Sequence, residues 1–150
     1  MRGLVQRVTR ASVDAPDGAG GREEVGRIGA GVVLLVGVTH DDTEADADRL
    51  AERVANLRIH ADEDGVMNRS LVEVGGAALV VSQFTLYADA SRGRRPSYVD
   101  AAAPEHAGPL VARVADRLLA LGLEVATGRF RTHMQVALVN DGPVTVLVET

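Results

Sequence analysis

The run GVVLLVGV, Gly31 to Val38, limits the fold more than any other stretch. Its residues are aliphatic and largely β-branched, without a polar break. A strand built from them must be covered on both faces, as central strands of α/β sheets are. Eight residues fall far short of the roughly 20 that a helix needs to cross a bilayer, and no other run approaches that length. A second run, AALVVSQFTL from Ala77 to Leu86, reads as another central strand. It is interrupted by Ser82, Gln83 and Thr85, and polar groups in a core need hydrogen-bond partners or a ligand.

The rest of the chain supplies covering layers. Leu4 to Val13 alternates apolar and polar residues like a half-buried strand, DAPDGAGGREE reads as an exposed hairpin tip, and Val25 to Ile28 returns as a strand. In HDDTEADADRLAERVANLRI the period changes: Asp42 or Thr43 can cap a helix, acids crowd its first turn, and Leu50, Val54 and Leu57 share one face. HADEDGVMNRS reads as a polar turn region. A second helix is predicted from Pro104 or Glu105, with Leu110, Val114, Leu118 and Leu121 on one stripe and Gly122 after its end. Leu123 to Thr127, Met134 to Val139 and Pro143 to Val148 complete the strands. This order predicts an α/β or α+β domain spanning residues 1–150, with two helices on a sheet and surplus strands in a second layer.

Composition removes several functions. Without cysteine, disulfides and thiolate metal sites are excluded. The four histidines, His40, His60, His106 and His133, lack metal-ligand spacing, and neither a GxSxG elbow nor a P-loop is present. A net charge of -5 argues against a general nucleic-acid binder. Arg92, Arg94 and Arg95 in SRGRRPS read, on charge alone, as a solvated loop. The opening MRGLVQRVTRASV has no apolar core of signal-peptide length, so a cytoplasmic location is expected.

Two segments carry candidate chemistry. Ser82 to Thr85 lies at the C-terminal end of a central strand, where α/β sheets bind ligands; alternatively, its hydroxyls satisfy neighbouring backbone. NDGPVT, from Asn140 to Thr145, is first a turn, although a cis Gly142–Pro143 bond is also accessible there.

Taken in order, QRVTRASV, GAGVVLLVGV, MNRSL, VVSQFTLYAD, GRRPSY, TGRF and MQVALVNDGPVT resemble the D-aminoacyl-tRNA deacylases of the bacterial and eukaryotic type. The resemblance covers nearly the whole chain, and the pairing of SQFT with NDGPVT is highly specific. It implies a three-layer α/β/β domain with a β-rich core and two main helices. It implies a cytoplasmic homodimer with active sites at the subunit interface, acting on aminoacyl-tRNA and on neither DNA nor membranes, without metal or cofactor. The implied reaction hydrolyses the ester between a D-amino acid and the tRNA 3′-end, and clears glycine mischarged onto alanine tRNA.

By the same resemblance, Ser82, Gln83, Phe84 and Thr85 line the catalytic pocket. Gly142 and Pro143 form a cis pair that enters the partner's site and rejects L-residues. Arg7 supports that pair, Phe130 and Met134 line the pocket, and Arg92, Arg94 and Arg95 contact tRNA. Arg131 and Thr132 stand where the family more often has small residues, and the first hairpin is longer than usual. A non-catalytic RNA-end binding module and a general esterase are the competing readings.

Overall fold

The computed structural model describes residues 1–150. In chain order the strands are β1 (Arg2–Pro16), β2 (Arg22–Ile28) and β3 (Gly31–Gly37), followed by helix α1 (Glu44–Ala55). Then come β4 (His60–Ala61), β5 (Met67–Arg69), β6 (Ala77–Ser82), a 3-10 turn (Phe84–Tyr87), helix α2 (Pro104–Ala120), β7 (Glu124–Thr127) and β8 (Gln135–Glu149). No helix is long and apolar enough to cross a membrane.

As the unbroken run demands, β3 is buried on both faces. Val32, Leu34 and Val36 join Leu50 and Val54 of α1 and Leu110, Val114 and Leu118 of α2 in one core. Val33 points the other way, into a second core with Val8, Val13, Ile28, Leu79 and Val81. The same alternation splits β6, with Ala78 and Val80 facing the helices and Ala77, Leu79 and Val81 facing away. The expected three-layer α/β/β architecture with two main helices is therefore the one found.

The sheet runs β2-β1-β3-β6-β7, with β8 on the far edge of β1. The β3–β6 and β6–β7 pairs are parallel, and α1 and α2 fall in the two crossovers between them. The 15-residue β1 serves two layers: Arg2 to Val8 pairs with β3, and Ala11 to Pro16 pairs with β2. Its second half and β2 fold over the β6–β7 face, where Gly26 of β2 comes close enough that a Cβ would lie 2.8 Å from Thr127 O.

Four local expectations need correction. The second central strand stops at Ser82 rather than Leu86, and the chain winds into the 3-10 turn. Helix α1 ends at Ala55, before Leu57. The region read as a polar turn contains the short β4–β5 pair. Asn140 to Pro143 is not a reversing turn: β8 continues in one direction, and its register jumps from Asn140 opposite Val8 to Thr145 opposite Gln6. The intervening residues bulge outward opposite Arg7. Asn140 Nδ2 closes the bulge by donating to Arg7 O (2.8 Å) and Val144 O (2.9 Å). The helix signals fare better. Thr43 and Asp46 form a capping box on α1, while Asp42 is buried and accepts from Thr39 N–H (2.7 Å) and the Met1 amino group (2.6 Å). Gly122 follows α2 with φ 87, as a helix-ending glycine does.

Gly31 tests how tightly the central pair is built. A Cβ there would sit 1.9 Å from Ala77 O, inside the backbone of the neighbouring strand. Gly31→Ala is expected to destabilise the protein by about 3 kcal/mol or more, because backbone rather than a side chain must move. Urea unfolding of the two proteins measures this; equal midpoints would contradict the close β3–β6 approach.

Candidate active site

At the C-terminal end of β6 the backbone ladder makes one last step, from Gln83 N–H to Val36 O (2.7 Å), before the chain turns away. Gly37 makes this possible. A Cβ at that position would lie 3.0 Å from Leu86 Cβ and 3.2 Å from Gln83 O, so glycine lets the 3-10 turn press against β3. Arg2 secures the turn from outside, donating to Leu86 O (2.8 Å) and lying over the Tyr87 ring. Burial, followed by the nearby Asp42 carboxylate, pushes the Tyr87 phenol up to about 12, so the ring stays neutral.

This turn leaves two main-chain donors unused. Within it Leu86 N–H reaches Gln83 O and Ala88 N–H reaches Thr85 O, but the N–H groups of Phe84 and Thr85 have no acceptor in the chain, as first-turn donors do not. Phe84, at the head of the turn, lines a cavity of about 770 Å³. Ser82, Gln83 and Phe84 form one wall, and Ala102, Ala103 and Ala107 at the start of α2 form another. The third wall is the loop between β7 and β8, from Phe130 to Met134. Phe84 is 53% exposed and meets Tyr98 edge to face at 5.1 Å between ring centres.

Small residues shape the cavity. Phe130 lies against Gly108 of α2, where a Cβ would be 3.2 Å from the ring. Met134 covers Gly128, where a Cβ would be 2.6 Å from Sδ. The alanines beside Gly108 leave open the space that larger side chains would fill. The sequence reading gave no pocket role to these alanines or to Tyr98, His133 and Val136. The available signal was the run AAAPEHAG, whose lack of bulk at a helix start leaves a void opposite an aromatic pair.

The sequence-predicted residues divide into separate groups. Ser82, Gln83, Phe84, Phe130 and Met134 come together around the cavity, with Arg131 and Thr132 at the same loop. Thr85 does not line it; its hydroxyl accepts a hydrogen bond from the Gln83 side-chain amide. Arg92, Arg94 and Arg95 occupy an exposed loop closed by the Asp89–Ser97 bridge, immediately before Tyr98. Gly142 and Pro143, joined by a cis peptide, lie exposed on the β8 bulge and do not line the cavity.

Arg7 holds that bulge. Its Nε lies 3.1 Å from Asp141 Oδ2 and donates to Asp141 O (3.2 Å), while Nη1 donates to Ile59 O. Beside this cluster the His60 imidazole is held below its usual range, chiefly by burial and then by the Arg7 cation, with Asp141 opposing.

The family model described as D-Tyr-tRNA(Tyr) deacylase matches residues 4–149. The chain belongs to that family. A D-aminoacyl-tRNA deacylase of Symbiobacterium thermophilum is 59% identical over 150 residues, covering 100% of this chain and 96% of the relative. A solved structure described as a c-Myc DNA Unwinding Element Binding Protein is 34% identical with a TM-score of 0.89, over 100% of this chain and 99% of that one. A probable eukaryotic D-amino acid tRNA deacylase shares the fold, with a TM-score of 0.84 at 16% identity over 99% and 98% of the two chains.

The contact between Phe130 and Gly108 gives a direct probe of the cavity. Gly108→Leu drives a branched side chain into the ring's seat without removing any polar group. It is expected to lower kcat/KM for D-aminoacyl-tRNA hydrolysis by about tenfold or more, equivalent to ~1.4 kcal/mol of transition-state stabilisation. Unchanged kinetics in a folded variant would show that the Phe130 wall does not contact substrate.

Proposed function

We propose that this protein hydrolyses the ester of D-aminoacyl-tRNA, releasing a free D-amino acid and tRNA, in the cytoplasm and as a homodimer. The observation that carries the reading is the turn that opens with the unpartnered N–H groups of Phe84 and Thr85, next to a cavity that Ser82, Gln83 and Phe84 line, in a chain of a deacylase family. An aminoacyl ester is already activated, so hydrolysis needs placement and oxyanion stabilisation more than a strong nucleophile. The two N–H groups stabilise the oxygen that becomes negative when water adds to the ester carbon. The carbon–oxygen bond to the ribose then breaks, and that ribose oxygen takes the proton.

Thr85 is poorly equipped to attack. Its hydroxyl is engaged by Gln83, and neither an imidazole nor a carboxylate hydrogen-bonds to it. Water attack assisted by the terminal ribose hydroxyl fits this arrangement. The Ser82 hydroxyl has no partner in the chain and is available to orient the substrate. Arg92, Arg94 and Arg95, exposed on the loop that ends at Tyr98, are placed to meet tRNA phosphates without reading bases.

Chirality requires a wall rather than an attraction. A hydrophobic contact discriminates by only ~1–3 kcal/mol per methylene, and substrate side chains vary. In this reading the wall is main chain at Gly142 and Pro143, which refuses an L side chain and admits glycine, so that glycyl-tRNA(Ala) is also cleared. The wall must come from a second copy. Gly142 is six residues along β8 from Val136, which lines the cavity; at about 3.3 Å per residue that is roughly 20 Å, too far to reach the same chain's cavity. Strand β8 is paired only on its β1 side and exposes Val139 and Leu147, which suits a subunit contact.

Deacylation of D-tyrosyl- and L-tyrosyl-tRNA tests the proposal: the D-ester is cleaved and the L-ester spared. Tight binding of the tRNA end with no turnover of either ester, or of glycyl-tRNA, would establish a binding module instead. Cleavage of simple esters without tRNA or stereochemical bias would establish a general esterase. In the same assay Thr85→Ala retains most activity, whereas loss of a true nucleophile costs orders of magnitude. A second variant probes the wall. Gly142 has φ 125, and a Cβ there would lie 2.7 Å from Val144 Cγ2. Gly142→Ala is expected to reshape the bulge and raise L-ester cleavage relative to D; an unchanged ratio would remove this segment from L-rejection.

A further inference from the structure

The loop carrying Phe130 and Met134 is weakly held by its own backbone. Gly128 N–H reaches Val80 O (3.0 Å), and β8 pairing with β1 begins at Gln135. Between these points the main chain makes no hydrogen bond to the main chain of another element. Arg131 adopts φ 56, a left-handed conformation that residues with a Cβ rarely take. Its side chain meets Glu105 only at 3.8 Å, with both groups exposed. Such a surface pair fixes little.

Two arginines supply the missing restraint, and both tie the loop to the β1–β2 hairpin. Arg22 of β2 reaches across with Nη2, donating to Asp14 O (2.9 Å) in β1 and to His133 O (3.2 Å) in the loop. Arg129 reaches back from the loop: Nη1 donates to Pro16 O (2.7 Å) and Nη2 to Glu23 Oε1 (2.7 Å). The clasp is reciprocal and meets the loop at both ends. Its hairpin side is itself stiffened, because Asp17 Oδ1 accepts from Ala19 N–H (2.8 Å) and Gly21 N–H (2.9 Å) just beyond Pro16.

We propose that the β1–β2 hairpin is a brace for the cavity, with Arg22 and Arg129 as positioning residues that set the Phe130–Met134 wall for hydrolysis. This rests on the deacylase reading. The two arginines touch no reacting atom; they fix main chain at residues 129 and 133, and that main chain carries the side chains facing substrate. A rigid wall matters because small misplacements in a near-attack geometry cost large factors in rate. The hairpin, which the sequence presents only as an exposed tip, thereby acquires a part in the reaction.

The test compares Arg22→Ala, Arg129→Ala and the double variant with Arg27→Ala, in the full-length protein. Arg27 sits on the same hairpin but pairs only with Glu24 (2.6 Å) and does not reach the loop. With D-tyrosyl-tRNA as substrate, kcat is expected to fall about tenfold in the double variant while KM changes less than about threefold, a pattern of lost transition-state positioning. Arg22→Lys, which keeps a charged donor, restores at least half of the Arg22→Ala loss, and Arg27→Ala behaves as wild type. NMR backbone order parameters at residues 129–134 fall in the clasp variants, with those of β3 and β6 unchanged. The proposal is overturned if wild type is active and the clasp variants keep full kcat, or if Arg27→Ala loses as much. It is equally overturned if the order parameters at 129–134 keep their wild-type values. If wild type hydrolyses no aminoacyl-tRNA, the deacylase reading fails, and the order parameters alone decide whether the clasp holds the loop.

Discussion

The parallel contact between β3 and β6 is the constraint on which the rest depends. Gly31 and Ala77 approach so closely that no side chain fits between the strands there. Both strands then bury alternate residues in opposite cores, and each core requires its own covering layer. The helices cover one face. The other is covered by the far half of β1, by β2 and by the start of β8, so β1 and β8 must be long enough to leave the central sheet and fold over it. Three layers follow from two-sided burial.

The cavity is a consequence of the same layering. Where β6 ends at Ser82, the helical layer and the β layer diverge, and neither the start of α2 nor the β7–β8 loop carries enough bulk to close the gap. Alanines and Gly108 on one side and Gly128 on the other keep it open while admitting Phe130 and Met134 as walls. The polar residues after Val81 are therefore not a defect in a strand. They mark the point where the backbone leaves its ladder and its N–H groups become free for a ligand.

Sequence patterning carried the central layer well, because two-sided burial leaves a periodicity signature that needs no tertiary information. It failed where local chemistry is ambiguous. Phe84 and Leu86 look like strand residues, but their orientation depends on Gly37 in a different strand and on Arg2 reaching Leu86 O. Asn-Asp-Gly-Pro is turn chemistry wherever it occurs, yet whether the chain reverses or bulges depends on Asn140 bonding to Arg7 O, more than a hundred residues away in sequence. The SQFT wall was legible as a motif. The alanine wall was not, because a void is defined by what faces it.

The separation of SQFT from Gly142–Pro143 bears on how handedness is read. A stereochemical filter made of side chains drifts with every substitution and flexes with every rotamer. Main chain held at its ends does neither, and here the ends are held: Asn140 bridges the bulge, and Arg7 grips Asp141 from both its carboxylate and its carbonyl. Arg7 is 15% exposed, so this grip is less screened than a surface ion pair. Under the proposed function, a filter on this outer strand, away from its own chain's cavity, is used only with a second subunit. Under that proposal, rejection of the wrong enantiomer and assembly are one requirement rather than two.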